Sequence, residues 1–207
     1  MRTLRWLFIL TSLGCASTGP GTRSIDRTGF DLAACAPASA RLFDALTPAT
    51  PVDYLEWRSH LGGEAARGTR CEGASDAMAC EDAVASLTAP VDAWAAMTSG
   101  GAPAPLTYLV FTRGDEVGAV GRDGLGALLA PLDAADAAFI AQAATQGTVP
   151  CGEGRVRAVP GGHEVIVSRT QTCGGQRDEL LVMVGEDGAA TVLEIVVVVE
   201  GEAMICP

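Results

Sequence analysis

The chain has 207 residues, and 48% of them are hydrophobic, so it is long enough to bury the core of one domain. It carries 25 acidic residues against 14 basic ones, and its formal net charge is −11. This acidity argues against binding to nucleic acid and against electrostatic adhesion to anionic lipid, because both need a basic surface.

The first fifteen residues have the layout of an export signal. Arg2 and Arg5 give a positive start, residues 4–13 form an apolar run, and a small residue precedes Cys15. The run is too short to cross a bilayer, which takes about 20 apolar residues. The pattern resembles the signal of bacterial lipoproteins. That resemblance implies that residues 1–14 are removed and that Cys15 then carries lipid.

Residues 15–29 are expected to form a flexible tether, because they are rich in Gly, Ser and Thr and show no apolar periodicity. The same resemblance implies sorting to the outer membrane, since lipoproteins kept at the inner membrane tend to have Asp where this chain has Ala16. The expected partners are the membrane, through the N-terminal lipid, and an unidentified envelope protein or ligand.

The sequence predicts a single α+β domain over residues 30–207. Its first part, residues 30–98, is expected to be helical, with helices over residues 30–46, 52–61, 75–87 and 91–97. Pro51 is expected to open the second of these helices, and Ser75 or Asp76 to cap the third.

The second part, residues 106–207, is predicted to be mostly strand. The expected strands are residues 106–112, 116–121, 155–159, 164–171, 179–184 and 191–200, with an inserted helix over residues 123–147. Four consecutive valines at residues 196–199 predict that the last strand is buried on both faces and therefore central. The expected architecture is an N-terminal helical segment packed on a mostly antiparallel sheet of about six strands.

Seven cysteines are present. If Cys15 carries lipid, six remain in a chain sent to an oxidising compartment, and this even number predicts three disulfides. Cys71 and Cys80 enclose a short polar loop and are expected to pair. No C-x-x-C motif occurs, which argues against a zinc or thioredoxin-like site.

The other two pairs are predicted from a hairpin around Pro160. If Pro160 faces Glu164, counting outward places Cys151 opposite Cys173, within disulfide range. Elimination then leaves a Cys35–Cys206 bond, which would join the start of the folded part to its end.

Candidate chemistry is sparse. Glu56, His60 and Glu64 are spaced four apart and would share one face of the second predicted helix, as a metal site requires. A solvated polar face is the favoured interpretation, because Gly62 and Gly63 should end the helix before Glu64. No cofactor or metal is expected.

Catalytic motifs are absent as well. His60 and His163 are the only histidines, and no G-x-S-x-G or phosphate-binding glycine motif occurs. The sequence therefore favours a non-enzymatic, lipid-anchored envelope protein that acts as a binding or structural module. Two alternatives stay open: a hydrolase that uses an acid/base pair without a known motif, and an inhibitor or immunity-type lipoprotein.

Overall fold

The structure, a computed structural model, describes residues 24–35, 41–95, 105–151, 154–170 and 175–199. Within these ranges the chain is α+β, as the sequence predicted. The strands are β1 (Leu32–Ala33), β2 (Tyr54–Ser59), β3 (Gly62–Gly68), β4 (Trp94–Ala95), β5 (Leu106–Arg113), β6 (Glu116–Val120), β7 (Gly154–Val159), β8 (Gly162–Thr170), β9 (Arg177–Gly185) and β10 (Ala190–Val199). The α-helices are α1 (Leu42–Ala45), α2 (Ala77–Ser86), α3 (Leu125–Leu129) and α4 (Ala134–Thr145), and a 3-10 turn (Arg122–Gly124) precedes α3.

The strands form two antiparallel sheets, not the single sheet that the sequence predicted. The first sheet has the order β1-β7-β8-β9-β10. The second has the order β3-β2-β5-β4, and β6 also pairs with β5. Strands β2 to β6 precede the helices and form the second sheet, and strands β7 to β10 follow them in the first. The exception is β1, which lies at the start of the chain but joins the first sheet beside β7.

Helix α4 lies between the two sheets and forms the centre of the core. Its Phe139 contacts Trp57 of β2 and Trp94 of β4 edge to face, with ring centroids 5.8 and 5.9 Å apart. On its other side α4 contacts β7, β8 and β9. The side chain of Asp133 caps the helix by accepting the backbone N–H of Asp136 at 2.9 Å.

Helix α2 covers the opposite face of the second sheet. Asp76 caps it by accepting the N–H of Ala79 at 3.0 Å, in agreement with the helix predicted over residues 75–87. Val84 is fully buried, and its carbonyl oxygen accepts a hydrogen bond from Arg58 of β2 at 3.2 Å. The second sheet is therefore covered on both faces, by α4 and by α2.

Two predicted helices are strands instead. Residues 52–61 contain β2, and residues 91–97 contain the short strand β4. The segment around β2 lacks a helical apolar stripe but alternates, with Leu55 and Trp57 directed towards α4 and Glu56 towards α2. Both faces of β2 are buried, so the sequence lacks the contrast between an apolar and a polar face by which a strand is usually recognised.

The helix predicted over residues 30–46 is also largely replaced. Leu32–Ala33 is strand β1, which pairs with β7, and only Leu42–Ala45 is helical. Residues 36–40, which include the expected break at Pro37, lie outside the described residues. The helix predicted over residues 123–147 is broken into the 3-10 turn, α3 and α4.

Residues 24–30 lie on the outer face of the first sheet. Ile25 and Phe30 are buried there against Ile166 of β8 and Val196 of β10. Ile25, which the sequence assigned to the tether, therefore belongs to the core, whereas residues 24 and 26–29 are exposed.

Two disulfides lie within the described part of the chain. One joins Cys71 to Cys80, the pair expected from the short loop between them. The other joins Cys35 to Cys151, so neither Cys35–Cys206 nor Cys151–Cys173 forms. Cys173 and Cys206 lie outside the described residues.

The predicted hairpin register explains the error. The β7–β8 turn contains only Pro160 and Gly161, so Val159 faces Gly162 and Ala158 faces His163. The prediction that Pro160 faces Glu164 is thus three residues out of register, and an odd shift reverses which face each side chain occupies. Pairing of β1 with β7 brings Cys35 to Cys151 instead.

The prediction for the last strand is also wrong. Strand β10 is at the edge of the first sheet, where β9 is its one neighbour among the described strands. Strands β7 to β10 run as consecutive antiparallel neighbours, and such a meander leaves its last strand outermost.

Candidate functional site

The residues Glu56, His60 and Glu64 lie on a hairpin and do not form a site. Glu56 is on β2, Glu64 is exposed on β3, and His60 is in the turn between them. His60 Nδ1 accepts the backbone N–H of Leu106 at 3.1 Å. Within the described ranges no group of three or more His, Cys, Asp or Glu side chains is placed to hold a metal.

Glu56 belongs to a buried ionic network beneath α2. Arg58 donates to both of its carboxylate oxygens, at 3.0 and 2.6 Å, and Tyr54 donates its hydroxyl at 3.0 Å. Arg70 lies 3.5 Å from the same carboxylate and also contacts Glu81 at 3.4 Å. Alternation along β2 puts Tyr54, Glu56 and Arg58 on one face of the strand.

The electrostatics of this network suit structure better than proton transfer. Burial opposes the charge on Glu56, but the hydrogen bonds and charge of Arg58, the Tyr54 hydroxyl and the charge of Arg70 together hold the pKa of Glu56 below its ordinary value. A general acid needs the opposite shift, towards neutral pH. We therefore assign Glu56 to holding β2 against α2.

His163, at the start of β8, borders a shallow cleft of about 550 Å³. Pro131, Val159 and Glu186 also line it, and His163 Nδ1 is buried with no hydrogen-bond partner among the described residues. None of the described lining residues is Ser, Thr or Cys, so the cleft provides no side-chain nucleophile beside the histidine.

The most unusual surface is the edge strand β10. Its exposed apolar side chains are Val192, Leu193, Ile195, Val197, Val198 and Val199. The strand contains no proline and a single charged residue, Glu194. Edge strands normally carry charges, prolines or a cover, because their unpaired N–H and C=O groups otherwise recruit another strand.

The two faces of β10 are covered to different extents. Val196 is only 3% exposed, because it packs under Ile25 and Phe30 on the outer face of the sheet. Ile195 is 55% exposed, although it faces Leu180 of β9, which is 1% exposed in the core beside α4. Helix α4 therefore covers β9 on this face but leaves most of β10 open.

Two bulges restrict the regular part of this strand. The register with β9 shifts between Val192 and Glu194 and again between Val197 and Val199. Residues 194–197 thus form the regular ladder, and the bulges bend the strand at either side of it.

The described residues that flank the edge include charges of opposite sign. Arg177 pairs with Val199 at one end of the strand, and Glu186 and Asp187 lie in the turn that leads into the other. All three charged residues are exposed. The binding edge, as we call β10 with these flanking residues, is therefore apolar in the middle, with Arg177 beside one end and Glu186 and Asp187 before the other.

The predicted lipidation site, Cys15, lies outside the described residues. No helix in the described ranges is long and apolar enough to cross a membrane. Comparison of the chain with protein-family models, with curated proteins and with solved structures gave no match.

Sequence reasoning missed the binding edge because it took an unbroken apolar run as a sign of burial. The order of the elements indicated the opposite. Strands β7 to β10 follow one another with no helix in the described residues between them, which predicts a meander whose last strand lies at the edge of the sheet. An apolar strand in that position is a conflict between local pattern and fold, and such conflicts concentrate at functional sites.

Proposed function

We propose that this protein is a lipid-anchored protein of the bacterial cell envelope that acts without catalysis. In this proposal, Cys15 carries the lipid, the chain is held at the outer membrane, and β10 binds an extended strand of polypeptide. The protein is thus an association module on a tether.

The observation that carries the proposal is the exposure of β10. A strand added alongside it would satisfy the outward N–H and C=O groups and cover its apolar side chains. Main-chain hydrogen bonds give affinity in this mode of recognition, and the alternating side chains give specificity. The ionic pairing of Glu56 and the absence of a nucleophile beside His163 in the described lining of its cleft favour binding over hydrolysis.

The anchor is supported by the sequence. Arg2, Arg5 and the apolar run before Cys15 match the signal of lipoproteins. The acidic composition offers no basic patch to assist adhesion to anionic lipid, so in this proposal the acyl chains hold the protein at the membrane.

Two variants of the full chain, expressed in a Gram-negative host, test the two halves separately. Cys15→Ser should shift the protein from the membrane fraction to the soluble fraction or leave it unprocessed. Ile195→Lys should keep the protein at the membrane but remove protein cross-links that wild type forms through β10, while Leu61→Lys, at an exposed turn, should retain them. Membrane retention of a processed Cys15→Ser protein would contradict the anchor, and unchanged cross-links in Ile195→Lys would contradict the binding role.

A further inference from the structure

We propose that the strand that pairs with β10 is β10 of a second copy of this chain, related to the first by a two-fold axis perpendicular to the first sheet. This inference rests on the proposed function and names the partner of the same surface. Identical strands related by a two-fold axis are antiparallel and present the same surface to each other. The product would be a ten-stranded antiparallel sheet that runs through both copies.

The register follows from the two faces of β10. Residues opposed in an antiparallel pair share a face, so a residue on the α4 face must oppose another residue on that face. Val192 and Ile195 are on that face, because they oppose the buried Val182 and Leu180 of β9. The two-fold axis must therefore pass through a position where a residue opposes the same residue of the second copy. We place this position at Ile195, within the regular ladder of residues 194–197.

The apolar side chains match in this arrangement. Ile195 is more than half exposed in one copy and would be covered by Ile195 of the other. On the outer face, Glu194 would oppose Val196 and not its own copy, so the one charge within the strand does not meet a like charge.

The charges at the ends of the binding edge favour the same orientation. An antiparallel mate brings the Arg177 end of one copy beside the end that carries Glu186 and Asp187 in the other. A parallel mate would instead place like charges together at both ends. The overall charge of −11 opposes association, but salt screens charges that lie more than about 8–10 Å apart.

Anchoring would assist the pairing. Two copies tethered to one membrane share a small volume, which raises their effective concentration without any new contact. Tethering would therefore add to the occupancy that the contact has in solution.

A charge-swap experiment tests the contact at residue 195. Wild type should sediment as two chains. Ile195→Lys and Ile195→Glu should each sediment as one chain, because like charges would oppose each other at the axis. An equimolar mixture of the two variants should recover the two-chain species, whereas a mixture of Leu61→Lys and wild type should behave as wild type does. Thermal melts confirm that each variant is folded.

Cross-linking at the same position supplies the geometric test. In the full chain at the membrane, Ile195→Cys should form a disulfide-linked dimer, because opposed Cβ atoms lie about 4.5–5.5 Å apart. Leu61→Cys, 78% exposed in the turn between β2 and β3, should not. Equal cross-linking of the two variants, or none for Ile195→Cys, would overturn the proposal.

The outcomes separate this inference from the proposed function. A monomeric wild type whose heterologous cross-links are lost in Ile195→Lys would leave the association module intact and refute the second copy as its partner. A monomeric wild type with cross-links insensitive to residue 195 would refute both, and would point to a cover for β10 from the chain itself.

Discussion

Asp136 accepts the backbone N–H of Thr47 at 3.0 Å and so joins the start of α4 to the segment that follows α1. Its other carboxylate oxygen accepts the N–H of Asp133 at 3.2 Å, and its side chain is fully buried. Burial raises the pKa of Asp136 to about 7, although these two hydrogen bonds act in the opposite direction. The carboxylate of Asp133 adds to the rise.

This shift predicts that stability falls as the pH rises. A carboxyl group with a raised pKa in the folded state favours folding most below its unfolded pKa of 3.8, and loses that contribution as the pH passes 7. At about 1.4 kcal/mol per pKa unit, the loss is up to about 4 kcal/mol. Asp136→Asn should be less sensitive to pH between 5 and 8 than wild type, as measured by urea unfolding. Identical pH dependence in the two proteins would contradict the assignment.

The network around Glu56 predicts a large effect of losing one partner. Glu56→Ala would leave Arg58 buried without its carboxylate, which costs about 3–5 kcal/mol in the free energy of unfolding. The matched control is Glu81→Ala, whose pair with Arg70 is exposed and should contribute less than about 1 kcal/mol. Urea unfolding of both variants at neutral pH checks this, and a similar cost for the two would mean that Glu56 is not the centre of the network.

Neighbouring valines on β10 should respond differently to a charge. Val196 is buried on the outer face, whereas Val197 is 36% exposed at the open edge. Val196→Asp should therefore prevent stable folding, since an unpaired charge in the core costs several kcal/mol, and Val197→Asp should give a folded protein. Circular dichroism and thermal melts would distinguish them. If Val197→Asp does not fold, β10 is an internal strand, as the sequence predicted, and its assignment to the edge is wrong.

The two observed disulfides leave Cys173 and Cys206 as the remaining pair, provided that Cys15 carries lipid. Thr170 pairs with Arg177, and Arg177 pairs with Val199, so the β8–β9 connection and the end of β10 lie at the same end of the first sheet. We expect peptide mapping of unreduced protein to recover a fragment that links Cys173 to Cys206. A free thiol at either residue would contradict this expectation.

The sequence predicted local structure where a single residue or short motif decides it. Asp76 caps α2 as expected, and the β5–β6 hairpin forms around Gly114. These features depend on hydrogen bonds and backbone angles within a few residues, so they can be recognised without knowing the rest of the fold.

Long-range arrangement was harder to predict, for identifiable reasons. Strand β2 was not predicted because both of its faces are buried. Glu56 and Arg58 form an ion pair on one of them, so the sequence does not show the alternation of buried apolar and exposed polar residues that marks a half-buried strand. The Cys35–Cys151 bond depends on the pairing of β1 with β7, between segments more than 100 residues apart. The exposure of Ile195 arises because α4 covers β9 but not β10. The sequence of β10 itself contains no signal for how far α4 extends across the sheet.

The Cys35–Cys151 bond also determines how a pull on the N terminus would enter the protein. Tension along a membrane tether would first peel Ile25 and Phe30 from the outer face of the sheet and then load β1 against β7. Beyond Cys35 the load would pass through a covalent bond into the β7 side of the first sheet. The binding edge on β10 is three strands from β7, so the anchor and the binding edge would act at opposite sides of the first sheet.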